Sequence, residues 1–162
     1  MNEIRIGYKK ILCPVDFSET SRKAFYRAVG YAQVFEAELT VLHVSERKLT
    51  TGGYEEVEGE AQDTARLEAG LIRRLDELQD AGHISTEERE RIVLEITGGK
   101  PWAQIVDYAE KNDIDVIIMG THGKGGRGGL ASVLIGSNTE RVVRRACCDV
   151  LAVRPDDYVA AL

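Results

Sequence analysis

Apolar residues switch between two spacings along this chain, and the switches predict its elements. Ile11-Leu12-Cys13-Pro14-Val15 is a short apolar block entered through Lys9 and Lys10. It reads as a buried strand that stops near Pro14, which has no N–H to give to a ladder. Asp16 falls at the carboxyl end of that strand. Ser18 is a good cap for the next element, with Glu19 in its first turn. Ala24, Phe25, Ala28, Val29, Ala32 and Phe35 then recur at helical spacing and predict one helix from Glu19 to Phe35.

Glu38 to Val44 is rich in β-branched and apolar residues and predicts a second buried strand. Ser45 to Glu60 is polar, acidic and glycine-containing, and is expected to be a mobile loop. Helical spacing returns from Gln62 to Ala81, with Leu67, Leu71, Ile72, Leu75 and Leu78 as its apolar stripe and Gly82 as its C-terminal cap. Glu87 to Arg91 is charged, and Arg91 to Ile96 predicts a third strand. Thr97-Gly98-Gly99-Lys100-Pro101 is a turn into a helix whose inner face is Trp102, Ile105, Val106 and Ala109, with Pro101 at its first position. Asp113 to Met119 predicts a fourth strand. Ser137-Asn138-Thr139-Glu140 matches a capping box at the start of a last helix, whose core side is Val142, Val143 and Ala146. Val150 to Val153 predicts a fifth strand. Strands alternating with helices of these lengths imply an α/β fold: a five-stranded parallel sheet with helices on both faces, a Rossmann-like arrangement joined by right-handed crossovers.

Composition changes this picture little. The chain has 162 residues, 43% hydrophobic and 30% charged, which suits one domain over residues 1–162. The net charge of −6 argues against a general nucleic-acid binder, which needs a basic face. No apolar run approaches the roughly 20 residues that span a bilayer. The cysteines, Cys13, Cys147 and Cys148, are odd in number and form no C-x-x-C, so no disulfide framework or zinc knuckle is expected and a reducing cytoplasm is the simplest setting. Cys147-Cys148 reads as two small residues entering the last strand, with redox sensing as the alternative. His43 and His83 read as structural or solvated.

The chemistry concentrates between Asp115 and Val153. There a strand leads into Gly120-Thr121-His122-Gly123, then into the glycine-rich basic tract Lys124 to Gly129, and then into a helix start at Gly136-Ser137. A helix start offers unpaired N–H groups and the positive end of a dipole, so it suits phosphate. Glycines at 120, 123 and 136 are expected to let backbone approach a ligand. Gly123 to Gly128 formally matches G-x-G-x-x-G, but it follows the fourth strand rather than the first and no helix follows directly, so a dinucleotide reading is rejected. Gly125 stands where a Walker A loop needs Ser or Thr.

The residues that carry a wider resemblance are Lys9 to Ser18 (KKILCPVDFS), Leu42-His43-Val44, Thr97 to Pro101 (TGGKP), Asp115 to Gly123 (DVIIMGTHG) and Gly136-Ser137. Together they resemble the universal stress protein family over about residues 8 to 155. Members that bind ATP carry Gly-x-x-Gly, nine residues, then Gly-Ser or Gly-Thr. Gly120 to Gly123 and Gly136-Ser137 match, with a spacer, Lys124 to Ile135, of twelve residues. The resemblance implies ATP, with Mg²⁺, as ligand. Pro14 and Val15 would form one wall, Asp16 would lie near ribose or adenine, and Val44 would meet the adenine with its backbone. Met119, Gly120, His122 and Gly123 would approach ribose and phosphates, with Lys124 and Arg127 wrapping the triphosphate. Gly136, Ser137, Asn138 and Thr139 would hold phosphates. It also implies a homodimer through Val150 to Val153.

No activated nucleophile, metal cluster or general base beside the phosphates can be picked out, so no catalytic or metal residue is expected. The expected function is a nucleotide-dependent stress-response or signalling switch acting on an unidentified protein partner, without nucleic acid or membrane. Two rivals stand beside it: an interaction dimer that binds no nucleotide, and a weak ATPase or autophosphorylating protein using Ser137 or Thr139.

Overall fold

The computed structural model describes residues 7–45, 48–50, 53–55, 60–121 and 136–155. In chain order they form β1 (Lys10–Val15), α1 (Glu19–Phe35), β2 (Glu38–Ser45), β3 (Lys48–Thr50), β4 (Gly53–Glu55) and α2 (Glu60–Asp80). There follow α3 (Thr86–Glu90), β5 (Ile92–Gly98), α4 (Pro101–Lys111), β6 (Val116–Gly120), α5 (Ser137–Arg145) and β7 (Asp149–Val153). Five strands make one parallel sheet in the order β5-β2-β1-β6-β7.

The two-residue period of β1 divides the core. Ile11, Cys13 and Val15 face one way, with Leu39 and Val41 of β2 and Val116 and Ile118 of β6, against Ala24, Phe25, Ala28 and Val29 of α1 and Leu75 of α2. Leu12, Leu42, Val44, Ile117 and Met119 face the other way, against Ile105 and Ala109 of α4 and Val142 of α5. Both faces of the sheet are therefore covered by helices, as the near-continuous apolar strands require. Burying each of the large side chains, Ile11, Leu12, Ile117 and Ile118 among them, contributes about 1.5–3 kcal/mol. At the amino edge the Asp115 carboxylate accepts the N–H groups of Lys9 and Lys10 at 2.7 and 2.9 Å, which fixes β1 against β6.

Local sequence explains most element ends. Ser18 caps α1 by accepting the Ser21 N–H, and the helix spans the predicted residues. Gly82, at φ 72°, closes α2: its N–H reaches Gln79 and that of His83 reaches Leu78, at 2.9 and 2.8 Å.

Several expectations need correction. Part of the loop expected over Ser45 to Glu60 is an antiparallel pair, β3 with β4, Leu49 facing Tyr54. The charged stretch before β5 is a short helix, α3, closed by a true capping box between Ser85 and Glu88. Strand β6 starts at Val116 rather than Asp113. Asp113 turns left-handed (φ 53°) and the Ile114 N–H still bonds Ala109, so these residues finish the exit from α4. Ile72 of the α2 stripe and Val143 of α5 are exposed rather than core. Trp102 is half-buried and lies under two guanidinium groups, Arg141 at 5.8 Å and Arg145 at 5.0 Å, which joins the start of α4 to α5. His43 is buried, with Nδ1 2.8 Å from the Val15 carbonyl, so the proton sits on Nδ1 and the role is structural.

Candidate functional site at the carboxyl edge of the sheet

The strand order reverses direction at β1. From there the sheet grows through β2 to β5 on one side and through β6 to β7 on the other. The carboxyl ends of β1 and β6 flank that switch point, which is where open α/β sheets leave a crevice. The sheet brings Pro14, Val15 and Asp16 to one side of it, Met119 and Gly120 to the other, and Val44 to the neighbouring end of β2.

Pro14, Val15, Val44 and Met119 are all buried. Their side chains belong to the core; what they offer at the edge is backbone and the rims of apolar groups. Asp16 is half-buried and already engaged. Its Oδ1 accepts the Ser18 N–H at 3.0 Å and the Ser18 hydroxyl at 2.6 Å. That pair of bonds folds the chain through Phe17, which sits at φ 63°, a left-handed conformation that a side-chain-bearing residue adopts at a cost of about 1–2 kcal/mol. The Phe17 ring rests 5.0 Å from the His43 ring, so packing also holds the turn.

Gly120 is a junction. A Cβ built on it would lie 2.9 Å from Thr20 Cγ2 and 3.0 Å from the Thr20 carbonyl carbon. Glycine is therefore required here because the first turn of α1 presses on the end of β6. This packing is a reason for glycine at 120 beyond the expected approach of a ligand. On the opposite side its carbonyl accepts the Thr139 hydroxyl at 2.8 Å.

Helix α5 starts differently from the expected capping box. Gly136 is the cap residue, with φ −57° and ψ 146°, and no side chain bonds the first turn; Ser137 is already helical and exposed. The cause is tertiary. The Gly136 N–H donates to the Thr121 carbonyl at 2.7 Å, and the Thr121 N–H donates to Val153 at 2.9 Å. The non-helical residue is thereby pinned one position earlier than the sequence pattern suggests. Asn138 is half-buried, and Thr139 is buried with its hydroxyl turned inward to Gly120. Ser137 and Asn138 thus remain at the surface of an N-terminus without a side-chain cap, while Thr139 serves as a strut. His122, Gly123, Lys124 and Arg127 lie outside the described residues.

Thr20, Ser21 and Thr121 were not singled out in the sequence and prove central to the edge. Ser21 Oγ bonds the Ser18 carbonyl at 3.1 Å, and Thr121 ties α5 to β7. The run Asp16-Phe17-Ser18-Glu19-Thr20-Ser21 was the signal: hydroxyls and a carboxylate crowded at a strand-to-helix turn favour local side-chain-to-backbone bonds. Chemically the edge offers hydrogen-bond acceptors on the β1 side and, among the described residues, first-turn N–H groups without a side-chain cap on the α5 side. It contains no nucleophile paired with a base among the described residues, and no cluster of three or more His, Cys, Asp or Glu side chains fit to hold a metal there. The Cys13 thiol is fully buried in β1, which pushes it to about 12 and keeps it protonated. No helix among the described residues is long and apolar enough to cross a membrane.

A model of the family described as "Universal stress protein family" matches residues 7–154. The chain is 35% identical to universal stress protein MJ0531 of Methanocaldococcus jannaschii, over 91% of this chain and 82% of that protein. The universal stress protein UspA from Lactobacillus plantarum has a solved structure that superposes with a TM-score of 0.67 at 30% identity, covering 93% of this chain and all of that one. A universal stress protein solved in complex with cAMP superposes at 0.61 with 21% identity, over 91% of this chain and 98% of its own length, and shares the fold.

Proposed function

The chain belongs to the universal stress protein family, and from that premise we propose that it binds an adenine nucleotide, ATP with Mg²⁺, at the carboxyl edge of the sheet. In this reading it acts as a nucleotide-dependent switch for a protein partner rather than as an enzyme. The observation that carries it is the uncapped start of α5 beside the β1–β6 switch point. The first N–H groups of that helix need an acceptor, and a phosphate supplies oxygen atoms together with charge that the helix dipole favours.

In this placement the adenine lies along Pro14, Val15 and the Val44 backbone, with Asp16 toward the ribose. Met119 and Gly120 form the floor. Gly136, Ser137 and Asn138 face the phosphates, joined by His122, Gly123, Lys124 and Arg127 of the connecting segment. Thr139 contributes by holding Gly120, since its hydroxyl is occupied. That same bond makes Thr139 a poor acceptor of a phosphoryl group and weakens the autophosphorylation rival at that residue. With no carboxylate cluster among the described residues, Mg²⁺ would be held chiefly by phosphate oxygens and water, as is usual for nucleotide-bound magnesium. Bound there, it would offset phosphate charge.

The related cAMP complex makes a cyclic nucleotide the competing ligand. The test is the small-molecule content of purified protein, released by denaturation and identified by chromatography and mass. Near-stoichiometric ATP supports the proposal, and cAMP in its place would change the ligand and keep the site. A protein that is empty and also fails to bind added Mg-ATP or cAMP would overturn it and leave the interaction dimer.

For the dimer, the supporting feature is β7. Among the described residues it pairs with β6 on one side only, and Val150, Leu151 and Ala152 are half-exposed. An edge of this kind invites a second strand. Leu151→Lys is expected to convert a dimer to a monomer in analytical ultracentrifugation while leaving nucleotide content in place.

A further inference from the structure

Two thiols stand next to one another where α5 gives way to β7. Helix α5 ends at Arg145, and the strand begins at Asp149. Cys147 and Cys148 lie in the bend between them, outside helix and strand. Cys147 is exposed and Cys148 half-buried, both are free, and they are neighbours in the chain. The third thiol, Cys13, is fully buried in β1 and takes no part.

We propose that Cys147 and Cys148 form a reversible two-electron redox site whose oxidant is a hydroperoxide and whose product is a disulfide between the two neighbours. Cys147 is the attacking residue because its sulfur meets solvent. As thiolate it attacks one peroxide oxygen. The O–O bond breaks, the departing alkoxide or hydroxide takes up a proton, and Cys147 is left as a sulfenic acid. Cys148 then loses its proton and attacks that sulfur. The S–S bond forms, the S–O bond breaks, and the hydroxide leaves as water. In sum two thiols and one hydroperoxide give one disulfide, one water and one alcohol (a second water if the oxidant is hydrogen peroxide), and the two electrons pass from sulfur to peroxide oxygen.

The assignment of roles has a second support. Burial, the neighbouring Cys147 and the charges of Asp149 and Asp115 hold the Cys148 thiol up, to about 11. A thiol so protonated is a poor first nucleophile. It can still act second, because its place next in the chain keeps it beside the sulfenic acid.

Adjacent Cα atoms lie about 3.8 Å apart, below the usual disulfide span of about 4.4–6.8 Å. Ring closure therefore requires the intervening peptide to turn. The bend allows this, since neither residue belongs to the ladder that starts at Asp149. A bond made under that constraint is readily reduced, which is the property of a regulatory disulfide rather than a structural one.

The experiment treats the full chain with hydrogen peroxide, then blocks free thiols and maps peptides by mass. The expected result is a monomeric chain lighter by two hydrogen atoms, with Cys147 and Cys148 linked, Cys13 free, and full recovery on adding dithiothreitol. Cys148→Ser should react with peroxide at a similar rate and stop at a sulfenic acid that a dimedone probe captures. Cys147→Ser should lose its thiols about tenfold more slowly. Both variants remove small side chains near the surface, and an unchanged circular dichroism melt will show that they fold. Three results would overturn the proposal: Cys147 and Cys148 both still alkylatable after treatment, overoxidation of one of them without a link, or a disulfide between chains.

Discussion

Helices α1 and α5 both start at the carboxyl edge of the sheet and both press on Gly120, yet their first turns are finished in opposite ways. At α1 the Ser18 hydroxyl accepts the Ser21 N–H while Asp16 accepts from Ser18, so the chain supplies its own acceptors. At α5 the cap residue is Gly136, among the described residues no side chain caps the first turn, and the Thr139 hydroxyl points back into the fold. A helix start closed by its own side chains contributes to stability. One left open keeps donors available to something from outside. The difference is the reason the proposal puts the phosphate end of the nucleotide on the α5 side and the uncharged part on the β1 side.

The comparison can be broken most forcefully at the junction. Gly120→Val places branched carbon within 3.0 Å of Thr20, and overpacking of this kind costs about 1–3 kcal/mol. The expected outcome is a lower denaturant midpoint together with loss of nucleotide from the purified protein, because both helix starts must move. Retained nucleotide would detach the site from Gly120. Next comes Thr139→Val, which keeps the shape and removes the hydroxyl. Depriving the buried Gly120 carbonyl of this bond costs about 1–2 kcal/mol, again read from the denaturant midpoint. Any effect on nucleotide should follow stability rather than exceed it.

The sharpest contrast pairs Ser18→Ala with Ser137→Ala. Removing the α1 cap should cost about 1 kcal/mol and leave Mg-ATP affinity, measured by calorimetry, near its original value. Removing the Ser137 hydroxyl should change stability by no more than about 0.5 kcal/mol and weaken Mg-ATP several-fold. Equal stability losses in the two variants would show that α5 is capped in solution after all. The smallest effect is expected from Gly136→Ser, which gives α5 an acceptor of its own. Stability should rise by a few tenths of a kcal/mol, whereas nucleotide affinity should fall as the new hydroxyl competes with phosphate. A tighter complex would contradict the open-helix account.

These distinctions were only partly legible in the sequence. The five core strands and the full span of α1 follow from spacing, because burial on both faces leaves apolar blocks that polar turns punctuate. The β3–β4 pair was missed because three-residue strands carry too little periodicity, although Gly52-Gly53 marks a turn. The short α3 was overlooked even though Ser85 and Glu88 sit at capping-box spacing. Ser137 and Glu140 carry the same spacing, and there the box does not form. What separates the two cases is the bond from Gly136 to Thr121, a contact between residues brought together by the sheet. Asp16 was correctly placed at a strand end, but its commitment to Ser18 is a property of the turn rather than of the residue type. The packing reason for glycine at 120 is not legible, since nothing in its neighbours reveals that Thr20, a hundred positions earlier, lies against it.

The bond that joins Gly136 to Thr121 also separates length from geometry. The chain departs at Thr121 and returns at Gly136 at a point fixed by a 2.7 Å contact and by the β7 anchor beyond it. For a connector between these two ends, growing by three residues to fourteen adds only about 0.2 kcal/mol of closure entropy. The three extra positions that distinguish this chain's spacer can therefore be accommodated without moving either anchor. What those two bonds set is the register of the helix start at Gly136 with the sheet, whatever the number of residues between.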